Sequence, residues 1–257
     1  MSRRGVLLVV ALLMATTAQT NAATTIVTEP AQRVMGYINE ARAARGLVPL
    51  RSDSRLWGLA VDRARRLATS GVLSHQAAGS MREDLRSRGI PWYSYSEDIG
   101  YVSGTPGVAA RKIFRMWAAS PTHWDLLMSP ASNYLGIGLV YDGRSGMTYG
   151  SVVLTESNDR TGARAAILGA LISGDGIRWS WRGWDPQLQT HTAGLRDFSL
   201  QLRMDGGAWV TISSGTPATA RSTLDNIRGH RYGLRVRATD RTGNVGPWSR
   251  EFRVWLP

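Results

Sequence analysis

The chain has 257 residues, 31 Lys and Arg against 19 Asp and Glu, a formal charge of +12 and no cysteine. That length suits one large domain or two small ones, and 43% apolar with 19% charged residues excludes a disordered chain and a multi-span membrane protein. The lack of cysteine excludes a disulfide scaffold, thiolate zinc sites and a cysteine nucleophile. Thirty of the basic residues are Arg, the exception being Lys112. Residues 23–158 carry 15 basic and 11 acidic side chains, and residues 159–257 carry 14 and 8, so the excess is dispersed along the chain. A surface that tracks nucleic-acid phosphates clusters its charges, so nucleic acid is not the expected partner.

In chain order, Arg3-Arg4 precede an apolar run from Val6 to Met14 and a small-residue stretch ending near Ala22. This is the pattern of a secretory signal peptide over 1–22, and the run is too short to span a bilayer. No transmembrane segment is expected in the mature chain, which is read as secreted, extracellular or cell-wall associated. Pro30 opens a helix with Val34, Ile38 and Ala41 on one face, ending at Gly46. Asp53 or Ser54 caps a second, with the stripe Leu56, Leu59, Ala60, Ala64 and Leu67, stopping near Gly71. Ser80 caps a short third helix that ends before Gly89. Thr105-Pro106 starts a fourth carrying Val108, Ile113, Met116 and Trp117. Residues 134–141 and 147–155 read as a hairpin around Asp142-Gly143-Arg144-Ser145-Gly146, giving an α+β domain over 30–157.

Residues 158–163 read as a linker. From 164 to 257 short alternations follow one another at turn spacing, as in Ile177–Trp181, Phe198–Leu202 and Tyr232–Ala238, with a hairpin turn at Asp205-Gly206-Gly207. This is the pattern of an antiparallel β-sandwich. Six of the ten Trp lie here and are expected mainly in the core, the alternative being a sugar-stacking face of Trp181, Trp184 or Trp209.

Of the four His, His191 and His230 sit in polar turns and read as solvated. His75 and His123 flank Glu97, and two imidazoles with one carboxylate are a standard set for Zn²⁺ or a similar divalent ion. Their separation in sequence does not establish that they meet. There is no His-Glu-x-x-His, Gly-x-Ser-x-Gly or phosphate-binding loop, and a Ser74 or Ser120 nucleophile is the minor route.

Residues 33–155 resemble the CAP superfamily (cysteine-rich secretory proteins, antigen 5 and pathogenesis-related 1) in its short cysteine-free bacterial form. The pieces are Asn39-Glu40-Ala41-Arg42 through Gly46-Leu47-Val48-Pro49-Leu50, Ala60 to Leu67, Ser74-His75, Glu97-Asp98-Ile99-Gly100, Trp117-x-x-Ser120-Pro121-x-His123 and Leu135-Gly136-Ile137-Gly138. The resemblance implies a three-layer α-β-α sandwich with a cleft holding two His and two Glu, where some members bind a divalent metal. Carried over, these are His75, His123 and Glu97, with Ser120 at the place of the second Glu. The tail resembles a fibronectin type III/immunoglobulin-like module through Trp179, the Tyr232–Ala238 strand and Asp240 to Ser249.

The expected function is a secreted binding protein whose cleft takes a lipid, sterol-like, small apolar or peptide ligand, with His75, Glu97 and His123 as a polar pole open to a divalent metal. The alternative is a metal- or His-assisted protease or amidase acting on extracellular or cell-wall material. A third reading is a structural envelope protein. Without the leader the charge is +10, which favours salt-dependent association with anionic cell-wall polymers.

Overall fold

The structure, a computed structural model, describes residues 25–26, 28–104, 106–174, 176–223 and 226–257; the expected leader and the Thr105 cap lie outside them. In the first domain β1 (Thr25–Ile26), β2 (Arg51–Ser52), β3 (Ser94–Ser103), β4 (Tyr134–Asp142) and β5 (Met147–Glu156) form one sheet. Its order is β1-β4-β5-β3, with β2 beside β4, so β3 is an edge strand. The helices are α1 (Thr28–Ala43), α2 (Ser54–Ser70), α3 (Met81–Ser87), α4 (Pro106–Ala118) and α5 (Pro121–Leu127).

The two faces of the sheet are covered separately. Leu135, Ile137, Leu139, Val152 and Leu154 pack against Val34 and Ile38 of α1, Ile113 and Trp117 of α4 and Leu127 of α5. On the opposite face Val61, Ala64 and Leu67 of α2 meet Ile99, Val140 and Tyr149. The result is three layers, α-β-α. α2 forms where the sequence places it: the Asp53 side chain accepts from the backbone N–H of Arg55 and Leu56, and Gly71 at φ 67° closes the helix. Gly136 and Gly138 let α2 lie directly on β4, because a Cβ on either would stand within 2.4 Å of the α2 backbone. The α4 stripe differs from expectation: Ala109, Ala110, Ile113 and Trp117 face inward, while Val108 is exposed. The sequence reading also lacked α5, a helix of 7 residues that carries His123.

The second domain has two sheets. One runs β10 (Ala220–Thr223), β7 (Gly176–Trp184), β6 (Arg164–Ser173); the other runs β12 (Phe252–Leu256), β11 (His230–Asp240), β8 (Leu195–Met204), β9 (Val210–Thr216). Between them Trp179, Trp181, Phe198, Leu200, Leu234 and Val236 are buried together. The fold is therefore an α+β domain followed by an all-β sandwich.

The segment between the domains is tightly bonded. Ser157, Asp159 and Ala163 are buried. The loop after β7 reaches back into the first domain: Leu188 joins the cluster of Leu56, Leu59 and Tyr134. The side-chain Oε1 of Gln189 accepts from the Val48 N–H at 2.7 Å, and Asn133 Nδ2 donates to the backbone carbonyls of Ser157 (2.7 Å) and Thr190 (3.1 Å). His191, read as solvated, is exposed and also lies 3.1 Å from a Glu156 oxygen with its ring packed on Tyr93. His230 likewise has a partner, Asp205, at 2.5 Å.

Candidate functional site

The site is built on α2 and the β3 edge. The pairing of Glu97 with Val153 and of Asp98 with Val152 puts these neighbours on opposite faces, Glu97 toward α2. Arg63 lies within the apolar stripe of α2 and is 1% exposed. Its Nε donates to Glu97 Oε1 at 2.5 Å and its Nη2 to Oε2 at 2.7 Å, a bidentate fork. Nη1 donates to Asp84 Oδ2 (3.0 Å) and to the Gly79 carbonyl (3.1 Å). Ser151 Oγ donates to Glu97 Oε1 at 2.8 Å, and His75 Nδ1 stands 2.8 Å from Oε2. Each Glu97 oxygen therefore has two partners. Glu97 is buried, whereas the His75 side chain is 56% exposed. With Nδ1 held, the opposite ring nitrogen of His75 is the one left for a ligand.

Beside this chain lies an open groove of about 530 Å³, lined by Arg63, His75 and Glu97 with the 76–81 turn on one side and Tyr95 and Ser96 on the other. That volume is in the range of small-ligand clefts. The β3 edge forms one wall. Trp117 Nε1 donates to the Ile99 carbonyl at 3.1 Å and Lys112 Nζ to the Ser103 carbonyl at 2.9 Å. These carbonyls face away from β5, and the two-residue period of a strand places the backbone groups of Tyr95 and Glu97 on the same open edge.

The four expected residues separate into a joined pair and two outliers. His75 and Glu97 meet. His123, on α5, does not line the groove. Its Nδ1 is buried without a hydrogen-bond partner, and burial, then the nearby His75, hold its pKa below the ordinary histidine value. Ser120 caps α5 with no side-chain hydrogen bond to the helix. The ligand atoms of His75, Glu97 and His123 do not all lie within 4.8 Å of one another. Among the described residues, the group with ligand atoms within 4.8 Å of one another is Asp159, Asp185 and Asp240, at the domain junction. The outlier among the expected three is His123, which α5 carries outside the groove, while Arg63 occupies both Glu97 oxygens and supplies the countercharge a metal would bring. As folded, these three residues do not fit a divalent ion. The junction carboxylates hold loops together, Asp159 accepting from Tyr134 Oη and the Ala193 N–H, Asp240 from Thr242 and Asn244, and Asp185 from the Gly194 N–H.

Sequence reasoning missed Arg63 and Asp98. The signal for Arg63 was its place in the stripe Leu59, Ala60, Arg63, Ala64, Leu67, where a buried guanidinium demands carboxylate partners. Asp98 is fully buried, and neither oxygen has a partner. Burial, then the charge of Glu97, pushes it up to about 8. Of the three tryptophans considered for sugar stacking, Trp181 is 1% exposed in the core and Trp209 lies under Arg203 and Arg235, whereas Trp184 is exposed with the Arg182 guanidinium over its ring.

Residues 35–154 match the family model described as CAP, the Cysteine-rich secretory protein family. The first domain of this chain therefore carries the pattern of that family, in a cysteine-free form, and the second is an all-β sandwich. Among solved structures, an outer surface protein of Borrelia burgdorferi is 16% identical, with a TM-score of 0.47 over 53% of this chain and 99% of that one. A cysteine-rich secretory protein of Staphylococcus aureus is 19% identical with a TM-score of 0.42, and this chain covers 50% of itself but only 38% of that one. An Fn3-like protein of Clostridium thermocellum is 16% identical with a TM-score of 0.29, over 38% of this chain and 96% of that one. Likenesses this distant say nothing of ligand or partner. No curated protein matches the sequence. Among the described residues, no helix is long and apolar enough to cross a membrane.

Proposed function

We propose that this is an exported binding protein whose CAP-domain groove takes an extended peptide along the open edge of β3. Export rests on the leader pattern of residues 1–22 and on the secretory character of the family. The observation that carries the peptide reading is the groove wall itself, where the unpaired backbone of Tyr95 and Glu97 borders a cleft floored by His75, Arg63 and Glu97. Adding a strand to such an edge gives affinity through main-chain hydrogen bonds, with side-chain pockets supplying selectivity. Binding is favoured over turnover because the Glu97 oxygens, held by Arg63, Ser151 and His75, are not free to take a metal or a substrate proton themselves. Of the candidate nucleophiles, Ser74 Oγ accepts from the Ala77 N–H in a turn, and Ser120 lies outside the groove.

One observation favours the hydrolase as a second reading. The His75–Glu97 contact has the form of a base and its orienting carboxylate, with the outer imidazole nitrogen available to a bound water. Amide NMR separates the readings. Titration with a pool of seven-residue peptides of alternating apolar and polar pattern is expected to shift the Tyr95 and Glu97 amides and slow their hydrogen exchange. If a fluorescent sterol occupies the groove while no peptide protects these amides, the peptide reading fails. Peptide cleavage that disappears in Glu97→Gln establishes the hydrolase instead.

A further inference from the structure

The outward face of the four-stranded sheet in the second domain gathers positive charge. Tyr232, Leu234, Val236 and Ala238 of β11 point into the core, so Arg231, Arg235 and Arg237 point outward. The register sets Gly233 between Arg203 of β8 and Arg253 of β12. Five arginines thus share one face. The carboxylate among them is Glu251, bonded to Arg203 and Arg253. Asp197 and Asp205 lie toward its ends and are bonded to Arg196 and His230.

Two tryptophans hold part of this charge in order. The Arg203 and Arg235 guanidinium groups lie 4.5 and 4.3 Å from the Trp209 ring, and those of Arg235 and Arg237 lie 4.8 and 4.6 Å from the Trp248 ring. Arg235 is fixed further by Gln201 Oε1, at 2.9 and 2.6 Å. Stacking and hydrogen bonding remove rotamer freedom that an ordinary surface arginine would lose on binding. Rings that each carry two guanidinium groups have little face left for a sugar or a base. Arg203 and Arg235 turn their fork edges to Glu251 and Gln201, so what the face presents to phosphate oxygens is chiefly the guanidinium N–H groups of Arg231 and Arg237, beside the positive charge of the others.

We propose that this face docks a linear phosphodiester polymer without bases, of the polyglycerol phosphate kind. The proposal is independent of the groove and of what the groove binds. Charge complementarity selects a polyanion, and the covered tryptophan rings disfavour single-stranded nucleic acid, which binds by stacking its bases.

The test uses the full chain and labelled polyglycerol phosphate, with fluorescence anisotropy read at rising salt. Affinity is expected to fall steadily with salt. Arg237→Gln is expected to weaken binding about three- to tenfold and to reduce the salt slope by about one contact. Arg253→Gln, at a side chain 67% exposed, is a second variant whose unchanged melting temperature guards against misfolding. Arg144→Gln, on the exposed hairpin of the first domain, should leave binding unchanged. The proposal is overturned if the polymer does not bind, or if Arg144→Gln loses as much as Arg237→Gln. It is also overturned if an oligo(dT) strand or phosphatidylglycerol vesicles bind as tightly as the polymer.

Discussion

Arg63 in the first domain is 1% exposed and donates to Glu97, Asp84 and the Gly79 carbonyl. Arg237 in the second domain is half-buried, and its side chain lies on the Trp248 ring with no hydrogen bond to the described residues. The first is an internal strut that fixes the floor of a groove, and the second is part of an outward-facing surface. Arg42 belongs with Arg63, fully buried and donating to the carbonyls of Val48, Leu127 and Ser129. The same side chain therefore supports one domain from within and charges the other from without. A positive total in the sequence does not say which use prevails.

The comparison is broken most severely at Arg63. Arg63→Ala leaves Glu97 and Asp84 without their buried countercharge and is expected to cost about 3–5 kcal/mol in chemical denaturation. Lysine should not restore it, because a single ammonium cannot reproduce the fork. An equal cost for Arg235→Ala, expected to lose only about 1 kcal/mol of ring contact, would erase the distinction between strut and surface.

Asp98 sharpens the picture of the first domain. With its carboxyl raised to about 8, the folded state keeps a proton that the unfolded chain releases near pH 3.9, on the order of the model-peptide value. That stabilising contribution is complete below about pH 4 and is lost as pH rises to about 8. Asp98→Asn should therefore raise stability by about 2–4 kcal/mol at pH 8 and change it little at pH 4. Melting curves at the two pH values decide it, and an equal shift at both contradicts the assignment. The smallest effect is expected at His75. Its side chain is largely exposed, so His75→Ala should change stability by less than about 1 kcal/mol while weakening peptide binding in the groove.

Much of the fold was legible because its signals are local. The α2 stripe, the Asp53 cap and the Gly71 stop fall within one stretch, and the hairpin around Asp142 is equally self-contained. α5 was not legible: 7 residues give barely two turns, too few for a period to show, and Ser120-Pro121 reads as a break. The Arg63–Glu97 pair joins residues 34 apart, and nothing local to either one announces the other. The arginine face was present in the sequence as alternation, Arg231, Arg235 and Arg237 at even spacing, but counting charges by segment hides a pattern of period two. The His75–Glu97 half of the site followed from the family resemblance, whereas the position of His123 depends on α5.

The central claim is that the filled carboxylate of Glu97 makes the groove a place of binding and not of turnover. Mass spectrometry of groove-bound peptides, after long incubation with the wild type and with Glu97→Gln, tests it most directly. The account predicts intact peptide with both proteins and weaker capture by the variant. Peptide cleaved by the wild type and spared by Glu97→Gln would contradict it.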